Sequence, residues 1–188
     1  MPGHYTATPG HYGAIARLFH WGIAALLLFQ IPLAYYMIDL PVSPDKLAKY
    51  SLHKSVGMSI FALSTLRLAW RWLQPPPPLP SGVPDWQQRL AALTHALLYF
   101  ITFAMPLTGW LNSSAANFPV SVFGLLQLPD LVAPNHELHE RMELVHRILA
   151  YTLMGTVSLH AAAAFWHQWI RHDGVLARML PSIRNRSI

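Results

Sequence analysis

The chain contains no cysteine, and this absence removes several kinds of redox chemistry at once. Disulfides, iron–sulfur clusters and thiolate-bound metals all require cysteine sulfur. Histidine is plentiful by contrast, with 11 residues among 188. Any metal or redox chemistry must therefore rest on nitrogen ligands or on a bound cofactor.

Charged residues are also scarce, at 11% of the chain, whereas 53% of the residues are hydrophobic. A water-soluble domain of this length would alternate apolar and polar faces more strongly along its helices. Four apolar stretches instead reach the roughly 20 residues that a helix needs to cross a bilayer. They cover residues 14–37, 53–73, 90–111 and 143–169. The sequence therefore predicts an all-α integral membrane protein, a single domain over residues 1–188 that forms a four-helix bundle in contact with membrane lipid.

Several common functional signatures are missing as well. The sequence has no internal repeat, no phosphate-binding glycine loop and no nucleophile motif. We expect no nucleic-acid partner.

Basic residues predict the orientation, because cytoplasmic segments of membrane proteins carry an excess of arginine and lysine. If both termini are cytoplasmic, eight arginines fall inside and five basic residues fall outside. The inside set is Arg17, Arg67, Arg71, Arg89, Arg171, Arg178, Arg184 and Arg186, and the outside set is Lys46, Lys49, Lys54, Arg141 and Arg147. We therefore predict that both termini are cytoplasmic.

Two segments outside the apolar stretches also carry expectations. The leader, residues 1–13, lacks the basic region of a cleaved signal peptide, so the first apolar stretch is expected to remain as a span. The longest outer segment, residues 112–142, contains an apolar run at 118–128 that is too short to cross a bilayer. We expect this run to lie at the membrane interface.

Histidines within the apolar stretches carry the functional prediction. An imidazole in hydrocarbon costs free energy unless it is paired, metal-bound or facing a polar cavity, so such a residue is a candidate functional residue. His146 and His160 lie 14 residues apart on the fourth stretch. That spacing places them within about 40° of one helix face and about 21 Å apart along the axis. His53 enters the membrane from the same side as His146, so the two can meet at one depth.

Two facing histidines supply both axial nitrogens of a haem iron, and a helical bundle supplies apolar walls around it. The residues alone predict one such pair, His53 with His146. A second site on the cytoplasmic side includes His20, and its other ligand stays open among His95, His160 and His167. Arginine and lysine side chains suit the haem propionates: Arg67 and Arg71 at the inner site, Lys54 and Arg147 at the outer site.

Helix packing offers an alternative, because a polar side chain in a membrane helix often only hydrogen-bonds a neighbouring helix. This alternative applies most directly to His95 and His167, each taken alone. It explains the spacing of His146 and His160 less well. His136 and His139 fall outside the apolar stretches, and without a third ligand they are expected to be solvated.

Five short motifs, in order along nearly the whole chain, resemble the bacterial cytochrome b561 family. They are Arg17-Leu-Phe-His20-Trp21, Leu52-His53-Lys54-Ser-Val-Gly57, Pro106-Leu-Thr-Gly109, Val145-His146-Arg147 and Leu159-His160-Ala-Ala-Ala-Ala-Phe-Trp-His167. The resemblance implies a four-helix bundle in the bacterial inner membrane that holds two b-type haems. It also implies the ligands, His53 with His146 and His20 with His160.

The same resemblance implies transmembrane electron transfer, since the family includes a superoxide oxidase that passes electrons to membrane quinone. We therefore expect an oxidoreductase that couples superoxide oxidation to quinone reduction. Lys54 and Arg147 are the candidates for attracting superoxide, and His95 and His167 are the candidates for contacting quinone. The second hypothesis is a redox adaptor between the quinone pool and a periplasmic cytochrome or enzyme subunit. The third, of another class, is a non-redox membrane anchor or metal-handling protein.

Overall fold

Four long helices make up most of the computed structural model, which describes residues 11–78 and 82–180. They are α1 (Ala14–Asp39), α2 (Pro44–Leu73), α3 (Asp85–Ala115) and α4 (His136–Trp166). The prediction of an all-α, four-helix chain is confirmed. Most of the leader, residues 1–10, lies outside the described residues, as do Arg184 and Arg186.

Three of the described helical segments are long and apolar enough to cross a membrane. These are α1, α3 and the continuous helical segment His136–Arg171, which extends α4. Helix α2 has 30 residues but is more polar, so its crossing stays a prediction, as does the cytoplasmic placement of both termini. The charged residues of α2 are Asp45, Lys46, Lys49, Lys54, Arg67 and Arg71.

Two helices begin well before the predicted apolar stretches, because polar caps extend them. Helix α2 begins at Pro44, where the Ser43 side chain accepts a hydrogen bond from the Lys46 backbone N–H. Helix α4 begins after Asn135, whose side-chain oxygen accepts from the Leu138 N–H at 2.9 Å. Such caps satisfy backbone donors that a helix start leaves unpaired. The polar first turns of both helices therefore project beyond the apolar parts.

The helices pack in sequence order, with α1 against α2, α2 against α3 and α3 against α4. A small apolar core between α1 and α2 contains Ile23, Val56 and Ile60. Many large apolar side chains face outward instead, including Leu28 and Leu159, each 72% exposed. In a membrane such residues are solvated by lipid tails, so their exposure to the outside of the bundle carries no hydrophobic penalty.

A short hairpin lies between α3 and α4. Strands β1 (Ser121–Val122) and β2 (Leu126–Gln127) pair antiparallel, with Ser121 opposite Gln127 and Val122 opposite Leu126. The hairpin packs on α2, and Val120 at its base is 1% exposed.

At the opposite end of the bundle, the segment after α4 folds back over the start of α1. The Trp21 indole donates to the Met179 carbonyl at 2.8 Å. The buried Arg178 guanidinium donates to the carbonyls of Pro77 and Pro78 at 3.1 and 2.7 Å. These bonds join the C-terminal segment to both α1 and the proline-rich linker.

Candidate functional site

His53 of α2 and His146 of α4 face each other at the hairpin end of the bundle. Their ring centroids lie 6.4 Å apart, with the ring planes at 68°. Both side chains are half-buried. The expected meeting of these two residues is therefore present in the structure, and we call them the outer pair.

The motif Pro106-Leu-Thr-Gly109 of α3 lies against His146. Thr108 Oγ1 is 3.1 Å from His146 Nδ1. A Cβ on Gly109 would lie 3.2 Å from His146 Cε1, closer than side chains normally approach. Glycine at 109 therefore leaves room for the imidazole, while Thr108 holds one ring nitrogen. A hydrogen bond at Nδ1 fixes the ring orientation and leaves Nε2 for a metal.

Gln30 of α1 supports the other member of the outer pair. Its side-chain amide donates to the His53 carbonyl at 2.8 Å, and it is the nearest side chain to a Cβ built on Gly57, at 3.5 Å. The Nδ1 atom of the His53 ring is buried and has no hydrogen-bond partner among the described residues.

Three histidines from three helices meet at the end of the bundle opposite the hairpin. His20 of α1 lies 6.2 Å from His160 of α4 between ring centroids, with the planes at 73°. His95 of α3 lies closer to His160, at 5.3 Å. The structure thus brings together two of the three residues that the sequence left open as partners of His20. We call His20 and His160 the inner pair.

His167 has a different set of neighbours. It begins a π-helical turn, His167–Arg171, and its Nδ1 lies 2.5 Å from Asp173 Oδ2. Both side chains are 14% exposed, and Arg171 Nε lies 3.9 Å from the same carboxylate oxygen. His167 and Asp173 therefore form a shielded imidazole–carboxylate pair next to the last turn of α4.

Arg67 and Arg71 line one cavity at the inner end of α2. The cavity is also lined by Tyr99 and by Tyr12, with the prolines at 75–77 on the linker side. The Arg67 guanidinium lies over the Tyr99 ring, 5.4 Å from its centroid. Two guanidinium groups in one cavity suit a carboxylate or another anion, as the propionate prediction requires.

The two cations predicted at the outer end differ in their surroundings. Lys54 Nζ donates to Ser113 Oγ at 2.7 Å and to the Pro119 carbonyl at 3.2 Å. It also lies 5.6 Å from the centroid of the Phe118 ring. Arg147 is exposed on α4, one residue after the outer pair's His146. Lys54 therefore joins α2 to α3 and to the hairpin, in addition to placing a positive charge beside His53.

His136 and His139 lie on the first turn of α4, away from both pairs. Their nearest acids are Glu140, 3.8 Å from His136, and Glu143, 4.0 Å from His139. Within residues 11–78 and 82–180, no group of three or more histidine or acidic side chains is arranged to hold a metal ion.

The facing pairs fit haem iron, because the porphyrin itself supplies the four other ligands. A metal–imidazole nitrogen bond is about 2 Å long, so two opposite nitrogens lie about 4 Å apart and their ring centroids roughly 6 Å apart. The measured separations of 6.4 and 6.2 Å agree with this value.

Facing histidine pairs within a helical membrane bundle are the arrangement expected of a b-type cytochrome. A family model described as prokaryotic cytochrome b561 matches residues 11–182, and this chain belongs to that family. Membership establishes a helical membrane bundle that binds b-type haem and transfers electrons in the membrane. It therefore favours the redox hypotheses over a non-redox anchor or a metal-handling protein.

Three curated relatives illustrate the similarity. Cytochrome b561 homolog 2 of Escherichia coli (strain K12) is 35% identical over 185 residues, which cover 94% of each chain. Probable superoxide oxidase CybB of Yersinia pestis is 27% identical over 92% of this chain and 97% of its own length. Cytochrome b562 of Cereibacter sphaeroides is 26% identical over 93% of this chain and 98% of its own length.

Sequence reasoning missed three polar residues of these sites: Gln30, Thr108 and Asp173. Gln30 is a lone amide within an apolar helix. A polar side chain in such a helix is a candidate for a hydrogen bond to a neighbouring helix, so its position could have identified it. Thr108 lies within a motif that the resemblance identified, but its neighbour across the bundle could not be inferred. Asp173 lies in a turn after the last helix, where helical periodicity cannot predict which way a side chain points.

Enlarging Gly109 should displace the His146 ring. In Gly109→Val, the Cβ alone would lie 3.2 Å from His146 Cε1, so we expect loss of most of the haem bound there. The haem-to-protein ratio and the reduced-minus-oxidised spectrum measure this. Gly155→Val is the matched control, since Gly155 is exposed and a Cβ there meets nothing within 4 Å. Equal haem contents in the two variants would contradict the proposed packing.

Proposed function

We propose that this protein transfers electrons across the bacterial inner membrane through two b-type haems, oxidising superoxide at the outer side and reducing quinone at the inner side. The observation that carries the proposal is the presence of two facing histidine pairs at different levels, at 6.4 and 6.2 Å. Both pairs use α4, and 14 residues of helix separate their members by about 21 Å. Two redox centres so placed give electrons a path between the faces of a membrane.

The outer pair, His53 with His146, and the inner pair, His20 with His160, are the proposed axial ligands. The distances support His20 over His95 as the partner of His160. Opposite ligands of one iron place their centroids roughly 6 Å apart, whereas His95 lies only 5.3 Å from His160. His95 is better suited to contact the inner cofactor region from the side. Arg67 and Arg71 are the proposed partners of the propionates at that end.

The haems, when bound, accept and release single electrons, and the chain's own residues control access to them. Each superoxide that gives up one electron becomes dioxygen, and two electrons with two protons convert a quinone to a quinol. Lys54 and Arg147 place positive charge beside the outer pair, which attracts a small anion. The printed name of the Yersinia pestis relative, a probable superoxide oxidase, supports this choice of donor.

At the inner end, His167 is the proposed hydrogen-bond and proton donor to quinone. Its contact with Asp173 holds Nδ1, so Nε2 is left to face a ligand. A carboxylate in this position fixes the tautomer and the orientation of an imidazole. Asp173 is thus a positioning residue that acts through His167.

The ligand assignment predicts which haem each variant loses. His20→Ala and His160→Ala should both remove the inner haem, because either change leaves one axial position empty. His53→Ala and His146→Ala should both remove the outer haem. Haem content and the electron paramagnetic resonance signal of the remaining low-spin haem identify which one is lost. His95→Ala should keep both haems; loss of the inner haem in that variant, with retention in His20→Ala, would make His95 the ligand.

Superoxide should reduce the haems rapidly, and the rate should fall as ionic strength rises, because salt screens the attraction between opposite charges. Arg147→Met should lower the rate several-fold while both haems stay bound, and Lys54→Met should act in the same direction. Stopped-flow absorbance measures the rate. Arg141→Met is the matched control, since Arg141 is exposed on α4 and already paired with Glu137. Reduction no faster than the uncatalysed background would favour the redox-adaptor hypothesis instead.

Quinone should reoxidise the haems more slowly in Asp173→Asn, because an amide in place of the carboxylate no longer fixes the His167 tautomer. We expect a loss of about tenfold or more, with the haem spectrum unchanged and the pH profile of the step altered. Asp173→Glu should restore part of the rate. Asp85→Asn, at the start of α3, is the control. A normal rate and pH profile in Asp173→Asn would exclude this role.

A further inference from the structure

We propose that the hairpin between α3 and α4 inserts its tip, Phe123–Leu126, into the bilayer leaflet nearest the outer histidine pair. The tip would contact the boundary between lipid headgroups and acyl chains. This inference rests on the membrane embedding of the family and not on the identity of the electron donor or acceptor.

The depth of the hairpin is given by its contact with α2. Ser55 Oγ accepts from the Phe123 backbone N–H at 2.9 Å and donates to the Ser121 carbonyl at 3.1 Å. Ser55 follows His53 by two residues on α2, so the turn of the hairpin lies level with the outer pair. The hairpin is therefore not a loop above the ends of the helices.

Helix α1 provides a scale for this depth. Gln30, which bonds the His53 carbonyl, lies five residues before Tyr35 on α1. Tyr35 and Tyr36 are 47% and 54% exposed, and exposed tyrosines near the end of a spanning helix mark the membrane interface. Five helical residues correspond to about 8 Å. Interfacial elements bury their apolar face by about 5–10 Å, which is the depth of this contact.

The exposed surface of the tip is apolar. Phe123, Leu125 and Leu126 are 54%, 90% and 59% exposed. No charged residue occurs between positions 118 and 128. A side chain as exposed as Leu125 suits lipid, and the contact of Phe123, two residues earlier, with Ser55 places this turn near the level of His53. The tip thus continues a surface that is already in contact with the membrane.

The backbone of the hairpin is suited to a low-dielectric environment, where an unpaired donor or acceptor is costly. The Leu125 N–H donates to the Val122 carbonyl at 3.0 Å, and the Leu128 N–H donates to the Val120 carbonyl at 2.9 Å. Ser55 Oγ accepts a hydrogen bond from the Phe123 N–H. The chain also holds Phe123 at φ 52°, a conformation that L side chains rarely adopt. Gly124 follows at φ 72°, and tight hairpin turns require positive φ at both central positions, so the turn itself accounts for this conformation.

Because the natural chain has no cysteine, a single introduced thiol can carry a spin label without background. We would label Leu125→Cys in the full haem-loaded protein, in nanodiscs of phosphatidylethanolamine and phosphatidylglycerol. Power saturation then compares access of oxygen, which concentrates in lipid, with access of a water-soluble nickel chelate. The saturation parameter measured under nitrogen is subtracted from the values measured with oxygen and with the nickel chelate. This subtraction cancels the relaxation caused by haem iron. We expect an oxygen-to-nickel ratio several-fold above that of Glu140→Cys, an exposed position on the polar start of α4, and approaching that of Leu28→Cys on α1.

Either of two results would overturn the proposal. A ratio equal to that of Glu140→Cys would place the tip in water. Low access of both reagents, with an immobilised spectrum, would show that a second copy or another protein covers it. Phe123→Cys provides a second labelled position if Leu125→Cys does not assemble with its normal haem spectrum. Loss of superoxide or quinone reactivity in these variants would concern the proposed function and not this inference.

Discussion

Facing imidazoles from different helices are the interaction on which the rest of this bundle depends. An imidazole inside a membrane bundle is unfavourable unless something completes it, and here each pair is separated by the distance that one metal centre requires. Helix α4 provides one member of each pair and therefore determines the spacing of the two levels. The helices contribute few buried apolar contacts of their own.

Neutral polar side chains hold the histidines in position through directional hydrogen bonds, which apolar packing alone does not supply. Thr108 and Gln30 each make one hydrogen bond to a proposed ligand residue: Thr108 to the ring of His146 and Gln30 to the backbone of His53. Gly109 leaves the space in which the His146 ring lies. Hydrogen bonds to ligating histidines set ring orientation and basicity. Small changes at these positions are therefore expected to alter the cofactor without unfolding the helices.

The two ends of the bundle are built differently, in agreement with two different tasks. At the outer end, Lys54 and Ser55 attach the hairpin directly beside His53. At the inner end, the segment after α4 turns back, places Asp173 on His167 and joins α1 through Met179. The outer end thus combines an apolar surface with positive charge, whereas the inner end holds a shielded imidazole–carboxylate pair. Such an arrangement suits a small anion on one side and a membrane-soluble acceptor on the other.

The sequence by itself determined the helix class, the apolar stretches and the depth match between His53 and His146, because hydrophobic periodicity reports which face of a helix is polar and how deep a residue lies. It did not determine which helix each face meets. The residues alone left His95, His160 and His167 open, and the family resemblance implied His160. The tertiary structure shows His167 bonded to Asp173, apart from the group around His160. The hairpin's contact with Ser55 and the role of Gln30 were also decided there. All of these depend on neighbours distant in the chain, about which local pattern carries no information.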